Sequence, residues 1–154
     1  RKIANSDNPR LHPIIAFLFI FISPLRFLDM IQEEIKNGKK RTHWMWFIFP
    51  QIQGLGSSNI AVYYSIESLG EAKEYMNHPV LGNRLIDISN ELLKHDKDIN
   101  TIFGDIDSLK LNSSMTLFSL VSEDKIFDKV IDKFYDGKKD DITLDIVKEK
   151  SLRR

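Results

Sequence analysis

Arg41-Thr42-His43-Trp44-Met45-Trp46-Phe47-Ile48-Phe49-Pro50-Gln51 carries both tryptophans of the chain, with an arginine and a histidine beside them. Thr42 stands where an N-cap is expected and Pro50 where a helix must stop, so the pattern predicts a short helix over Trp44 to Phe49. A helix that is apolar all round is buried on most sides. Positions two apart on a helix point roughly 200° from each other, so Trp44 and Trp46 cannot share a face. Either both lie in the core, or one faces the core while the other lines a cleft. In both cases the segment needs a shell of other helices.

The flanking sequence supplies that shell. Ser23-Pro24 reads as an N-cap with proline at the first helical position. Leu25, Leu28, Ile31 and Ile35 follow at helical spacing, and Asn37-Gly38 ends the helix. Beyond the basic run Lys39-Lys40-Arg41 and the aromatic segment, Ser57 or Ser58 is expected to cap a helix to about Ile66. Ser68-Leu69-Gly70-Glu71 has the capping-box pattern, predicting a helix from Leu69 to about Met76. Pro79 opens a long helix to about His95 with Leu81, Leu85, Ile88 and Leu92 on one face. Gly82 inside it costs up to about 1 kcal/mol relative to alanine, which points to close packing there. Asp98 caps a short helix ended by Gly104, and Asp105 or Asp107 starts another through Val121. Phe127, Val130, Ile131 and Phe134 mark the next, ended by Gly137, and Asp141 is expected to cap a last one through Val147. No stretch alternates long enough to predict a strand. The expectation is an all-α, single irregular domain of about seven to nine helices over residues 25–147. It follows an atypical apolar segment at 1–24 and precedes a charged tail at 148–154 that frays.

At 154 residues one domain is expected, and a chain of this size buries roughly 70% of its unfolded surface, enough for a core. Lys+Arg and Asp+Glu are equal at 22 each, which argues against a dedicated nucleic-acid binder. With no cysteine, disulfide frameworks, thiolate metal sites and thiol catalysis are excluded, and a reducing, cytoplasmic setting fits. The chain opens on Arg1, not Met, so a fragment, a processed product or a partial gene model is the expectation. The nine apolar residues Ile14 to Ile22 are too few for a membrane span of about 20. Arg1, Lys2 and Arg10 upstream resemble a secretory leader, but no small-x-small cleavage site follows. A buried helix or strand, or an error in the sequence, is the expectation for this run, with a secreted or anchored chain as the alternative.

Four groups of residues carry candidate chemistry. In the aromatic segment, the His43 imidazole could serve as a proton donor or acceptor; the plainer reading is a hydrogen-bonded structural histidine. Arg41, Trp44, Trp46 and Gln51 complete that group as ligand-binding candidates. Gly54-Leu55-Gly56-Ser57-Ser58 leads into a helix start, whose free N–H groups suit an anion. It is neither a Walker loop nor a dinucleotide fingerprint, and a turn with an N-cap explains it equally. Lys110, Ser113 and Ser114 share a helical face, and with Thr116 they could hold a phosphate or carboxylate. The alternative is small residues permitting close helix packing beside a solvated lysine. A serine nucleophile served by Lys110 has the wrong residue order. Finally, His78 is expected to orient a helix start, and Arg84 could offer a bidentate donor to a cleft. His12, His43, His78 and His95 are far apart with no His-Glu-x-x-His pair, so no metal is expected; no cofactor is expected either.

The segment Arg41 to Gln51, with Gly54-Leu55-Gly56, Glu71-Ala72, His78-Pro79-Val80-Leu81-Gly82, Phe103-Gly104 and Lys110 to Phe118, resembles a family catalogued as domain of unknown function 1810 (DUF1810). The resemblance runs from roughly Glu34 to Val147. It implies a small helical domain and transfers no catalytic residue, since the family has no established activity. Such sequences are sometimes labelled calpastatin, an unfolded, proline-rich inhibitor that this apolar, helix-patterned chain does not resemble. Two expectations follow for function. The first is a pocket for a small anionic, nucleotide-like ligand, with His43 and Lys110 as candidate catalytic groups. The second is a protein-interaction module without chemistry.

Overall fold

The structure, a computed structural model, describes residues 25–153, with side chains from Leu28 onward. The apolar run at 14–22 lies outside the described residues. Among them stand nine helices and no sheet. They are α1 (Leu25–Lys36), α2 (Met45–Ile48), α3 (Asn59–Tyr63), α4 (Leu69–Asn77), α5 (Leu81–Leu93), α6 (Ile99–Phe103), α7 (Asp105–Ser119), α8 (Ile126–Tyr135) and α9 (Asp141–Leu152). The fold is all-α, and no helix among the described residues is long and apolar enough to cross a membrane.

Helix α7 is the axis of the fold. From Leu111 to Phe118 every residue but Asn112 is buried. An all-round burial needs neighbours on all sides, and α2, α4, α6, α8 and α9 all pack against it. Three of the buried residues are Ser113, Ser114 and Thr116, whose small side chains let those helices approach. The larger ones carry the core: Phe118 meets Tyr75 of α4 at 5.3 Å and Phe127 of α8 at 6.0 Å between ring centroids. Burial drives the Tyr75 phenol far above its ordinary range, so it stays a neutral packing residue. Leu81, Leu85, Ile88 and Leu92 of α5 and Leu28, Ile31 and Ile35 of α1 are buried, as their spacing predicts. Gly82 has the close neighbour it implied: a Cβ there would stand 2.0 Å from the Met76 carbonyl oxygen.

Several helix ends differ from the expectation, each for a local reason. Thr42 caps nothing; its hydroxyl donates to Glu34 of α1 at 2.7 Å, and α2 begins after Trp44 without a side-chain cap. Helix α3 stops at Tyr63 rather than reaching Ile66. Ile66 is held instead in an isolated parallel bridge with Ile52, its N–H donating to the Gln51 carbonyl and its carbonyl accepting from Gln53 N–H, both at 2.8 Å. Helix α5 starts at Leu81, two residues after Pro79. Asp140, not Asp141, caps α9, accepting from Thr143 N–H at 2.9 Å. That helix continues to Leu152, so the tail expected to fray is helical through most of its length.

Candidate binding groove

Trp44, the N-cap residue of α2, and Trp46, inside that helix, lie on different sides. Trp44 is fully buried, edge-on to Phe103 at 5.9 Å, and its indole N–H donates to Glu34 Oε1 at 2.9 Å. Trp46 is half-buried and forms the wall of a groove of about 520 Å³. After Pro50 the chain extends into the Ile52–Ile66 bridge and then folds back through Gly54, whose φ of +117° suits a residue without a Cβ. At Gly56 a Cβ would stand 2.8 Å from the Ala61 methyl. This tight return brings Ser58 to cap α3 and sets Leu55, Gly56, Ser57 and Ser58 along one side of the groove with Gln51. The opposite side is Ile106, Leu109, Lys110 and Ser113 of α7, with Asp140 and Ile142 where α9 begins.

The groove has an apolar rim and a charged interior wall. Ile106, Leu109 and Ile142 are 70%, 69% and 60% exposed. The Lys110 ammonium lies 4.4 Å from the centre of the Trp46 ring, a cation–π arrangement, and 3.4 Å from Asp107 Oδ1. The other oxygen of Asp107 pairs with Lys40 at 2.7 Å, and Lys40 in turn lies 5.1 Å over the Trp44 ring. One carboxylate therefore serves two lysines, each covering one tryptophan, and the cluster carries one positive charge in excess. Behind the same side, Ser113 and Thr143 share a hydrogen bond of 2.8 Å, and the Thr143 hydroxyl donates to Asp140 Oδ2. Asp140 is thus anchored by the start of α9, where a helix N-terminus favours negative charge. This wall can hold an anionic group near Lys110 and hydroxyl-bearing groups near the serines.

Of the residues singled out in the sequence, Trp46, Gln51, Gly56, Ser57, Lys110 and Ser113 come together here, and Gly54 borders a small hollow next to them. The others lie elsewhere. Arg41 and His43 are exposed and do not line the groove, so His43 and Lys110 do not share it. Trp44 belongs to the core. Ser114 and Thr116 are fully buried in α7, Thr116 accepting from Asp140 N–H at 2.9 Å. His78 orients a helix start as expected, its Nδ1 accepting from Val80 and Leu81 N–H at 3.2 and 3.3 Å. Arg84 lines a separate hollow of about 380 Å³ beside Gln32 and Asp87. A hollow of about 540 Å³, slightly larger than the groove, lies between Leu69, Val121 and Val147 with Lys73 and Lys150 at its edge; it has no aromatic wall. Among the described residues no group of three or more His, Asp or Glu is placed to hold a metal.

Sequence reading missed Glu34, Lys40, Asp107 and Gln53. Glu34 is 7% exposed, and its carboxylate accepts from Arg41 N–H at 2.8 Å, Thr42 N–H at 3.2 Å, the Thr42 hydroxyl and the Trp44 indole. Burial alone would raise its pKa, but the four hydrogen bonds outweigh it and hold the pKa below the ordinary value. The signal was present: Glu34 follows Ile31 by three, a carboxylate on the buried stripe of α1. For Asp107 it was the three-residue spacing to Lys110. Gln53 carries no such pattern.

No curated protein matches this chain. The crystal structure of the conserved hypothetical protein Rv1873 from Mycobacterium tuberculosis is similar, with 39% sequence identity and a TM-score of 0.82 over 88% of this chain and 96% of that one. The family model described as protein of unknown function (DUF1810) matches residues 23–147, which include every helix wall of the groove. The chain belongs to the DUF1810 family.

Proposed function

We propose that the domain binds a small organic anion in the Trp46 groove. The observation that supports this is convergence: segments 46–58, 106–113 and 140–142, far apart in sequence, meet along one concave surface. Its composition is that of a small-molecule site, mostly apolar with a few polar groups set among an aromatic wall. The flat or apolar part of the ligand lies against Trp46, Leu55 and Leu109. The anionic group takes the excess positive charge of the Lys40–Asp107–Lys110 cluster, with the Ser57 and Ser58 hydroxyls as further donors. The reading is binding without an assigned reaction, since His43 stands apart from Lys110. A cytoplasmic setting fits the absence of cysteine.

A thermal-shift series with nucleotides, sugar phosphates and carboxylates tests it, because a ligand that binds only the folded state raises the melting temperature. Anions of the right shape raise it in the wild type and in Arg41→Ala and His43→Ala, whose side chains lie outside the groove. The shift is lost in Lys110→Met. A panel in which no anion raises the melting temperature removes the proposal.

A second reading, a protein-interaction face, is favoured by the exposure of Ile106, Leu109 and Ile142 along the rim. A pull-down in which wild-type bait retains a specific partner and Leu109→Glu bait does not, with no anion shifting the melting temperature, would select it.

A further inference from the structure

The hollow beside the groove is about 10 Å³, room for about one water-sized group. Trp46, Gln51, Gly56 and Ala61 border both spaces. Gln53 forms part of the hollow's wall and is 5% exposed. Its backbone is fixed by the bridge to Ile66, through the 2.8 Å bond from Gln53 N–H to the Ile66 carbonyl. Its side-chain oxygen Oε1 is buried and accepts no hydrogen bond from the described residues. Buried carbonyl oxygens are rarely left so, because an acceptor removed from water without a donor is destabilising. The neighbouring Ser65 hydroxyl already donates to the Val62 carbonyl at 2.7 Å. Among the described residues of this wall, the buried side-chain atom without a partner is therefore an acceptor.

We infer that Gln53 is a specificity residue: its Oε1 reads a free amino group on a flat heteroaromatic anion bound in the groove. The inference rests on the groove reading and sharpens it to a ligand class. The hollow admits an –NH2 group but no ring. The ring stays in the groove against Trp46, and the anionic group stays on the Lys110 side. Gly56 keeps the approach open, since a Cβ at this position would already crowd Ala61. An amino-substituted ring satisfies the orphan oxygen; the same ring with hydrogen in that place leaves it without a donor.

Adenosine monophosphate and purine riboside monophosphate differ in this one substituent, amino against hydrogen, and share the phosphate. Titration calorimetry on the full chain should give the amino nucleotide at least about a tenfold advantage in the wild type, the size expected when a buried acceptor loses its donor. In Gln53→Met, which keeps the volume and removes the amide, the advantage falls to near one. The ligand-free melting temperature of that variant does not drop, because no hydrogen bond of the side-chain oxygen is lost. Equal binding of both nucleotides by the wild type, or an unchanged ratio in Gln53→Met, means the hollow holds a water only and overturns the inference. If neither nucleotide binds but another anion does, the groove reading stands and the Gln53 inference falls. If no anion binds, both fall.

Discussion

Trp44 and Trp46 are two residues apart, and each has a lysine over its ring, yet their surroundings differ in completeness. Around Trp44 the indole N–H has Glu34, the ring has Phe49 and Phe103, and Lys40 is closed in against Asp107 with its side chain 6% exposed. Around Trp46 the ring is half open, Lys110 is reachable, and the rim is apolar and wet. The same residue types thus make a sealed core on one side and a concave surface on the other. What separates them is how far each cluster is closed off from water. The buried network holds the fold; the exposed one is the part that the proposed ligand would meet.

The largest test of this contrast is stability. Trp44→Ala should cost about 3–5 kcal/mol, the range for deleting a buried aromatic ring, and it leaves the buried Glu34 carboxylate one donor short. Trp46→Ala should cost less than about 1.5 kcal/mol, because part of that ring is already in water. Urea denaturation of the two variants measures both. Equal losses would mean that the groove wall is as much part of the core as Trp44, and the contrast would be void.

Asp107 joins the two sides, so its removal should be felt on both. Asp107→Asn keeps the shape but leaves Lys40, nearly covered, without its counter-charge. A loss of about 1–2 kcal/mol is expected, below the range for fully buried pairs because Asp107 itself is 20% exposed. The same change frees Lys110 from sharing its carboxylate, so the affinity of the groove for anions should rise while stability falls. A variant that loses stability and anion binding together would show that Asp107 supports the groove mainly by holding its wall in place.

How far these features were legible follows from their kind. The helical stripes of α1, α5 and α8 could be read because periodic burial leaves a periodic sequence. The separation of Trp44 from Trp46 followed from helical geometry, although which of them met the core did not. The groove members of α2, the Gly-Ser loop and α7 were named from local chemistry. Arg41, His43 and Arg84 were named on the same grounds and lie outside it. Residue type indicates what a side chain can do, while the packing of distant segments decides whether it meets the others. Helix α7 shows the limit: its second half is buried nearly all round and mixes Ser113, Ser114 and Thr116 with apolar residues, while Ile106 and Leu109 at its start are exposed, so its central place in the fold is invisible to periodicity. The Ile52–Ile66 bridge was equally hidden, since one residue pair makes no alternating run, and with it went the placement of Gln53.

The smallest effect concerns Glu34 and the sealed side alone. Its folded-state pKa lies below the ordinary value of 4.5, because the Arg41, Thr42 and Trp44 donors outweigh the cost of burial. A carboxyl with a depressed folded pKa stabilises the fold above its unfolded pKa, and that stabilisation disappears as pH falls through the folded pKa. The stability difference between wild type and Glu34→Gln should therefore be flat well above pH 4.5 and shrink as the pH falls below it. Paired denaturation curves across that range separate this group from the other carboxylates, which titrate alike in both proteins. A difference that stays constant on acidification would mean that the carboxylate is held no more tightly in the folded chain than in the unfolded one. Trp44 and the loop before it would then be kept in place by packing, and the completed hydrogen-bond network would no longer distinguish the sealed side from the open one.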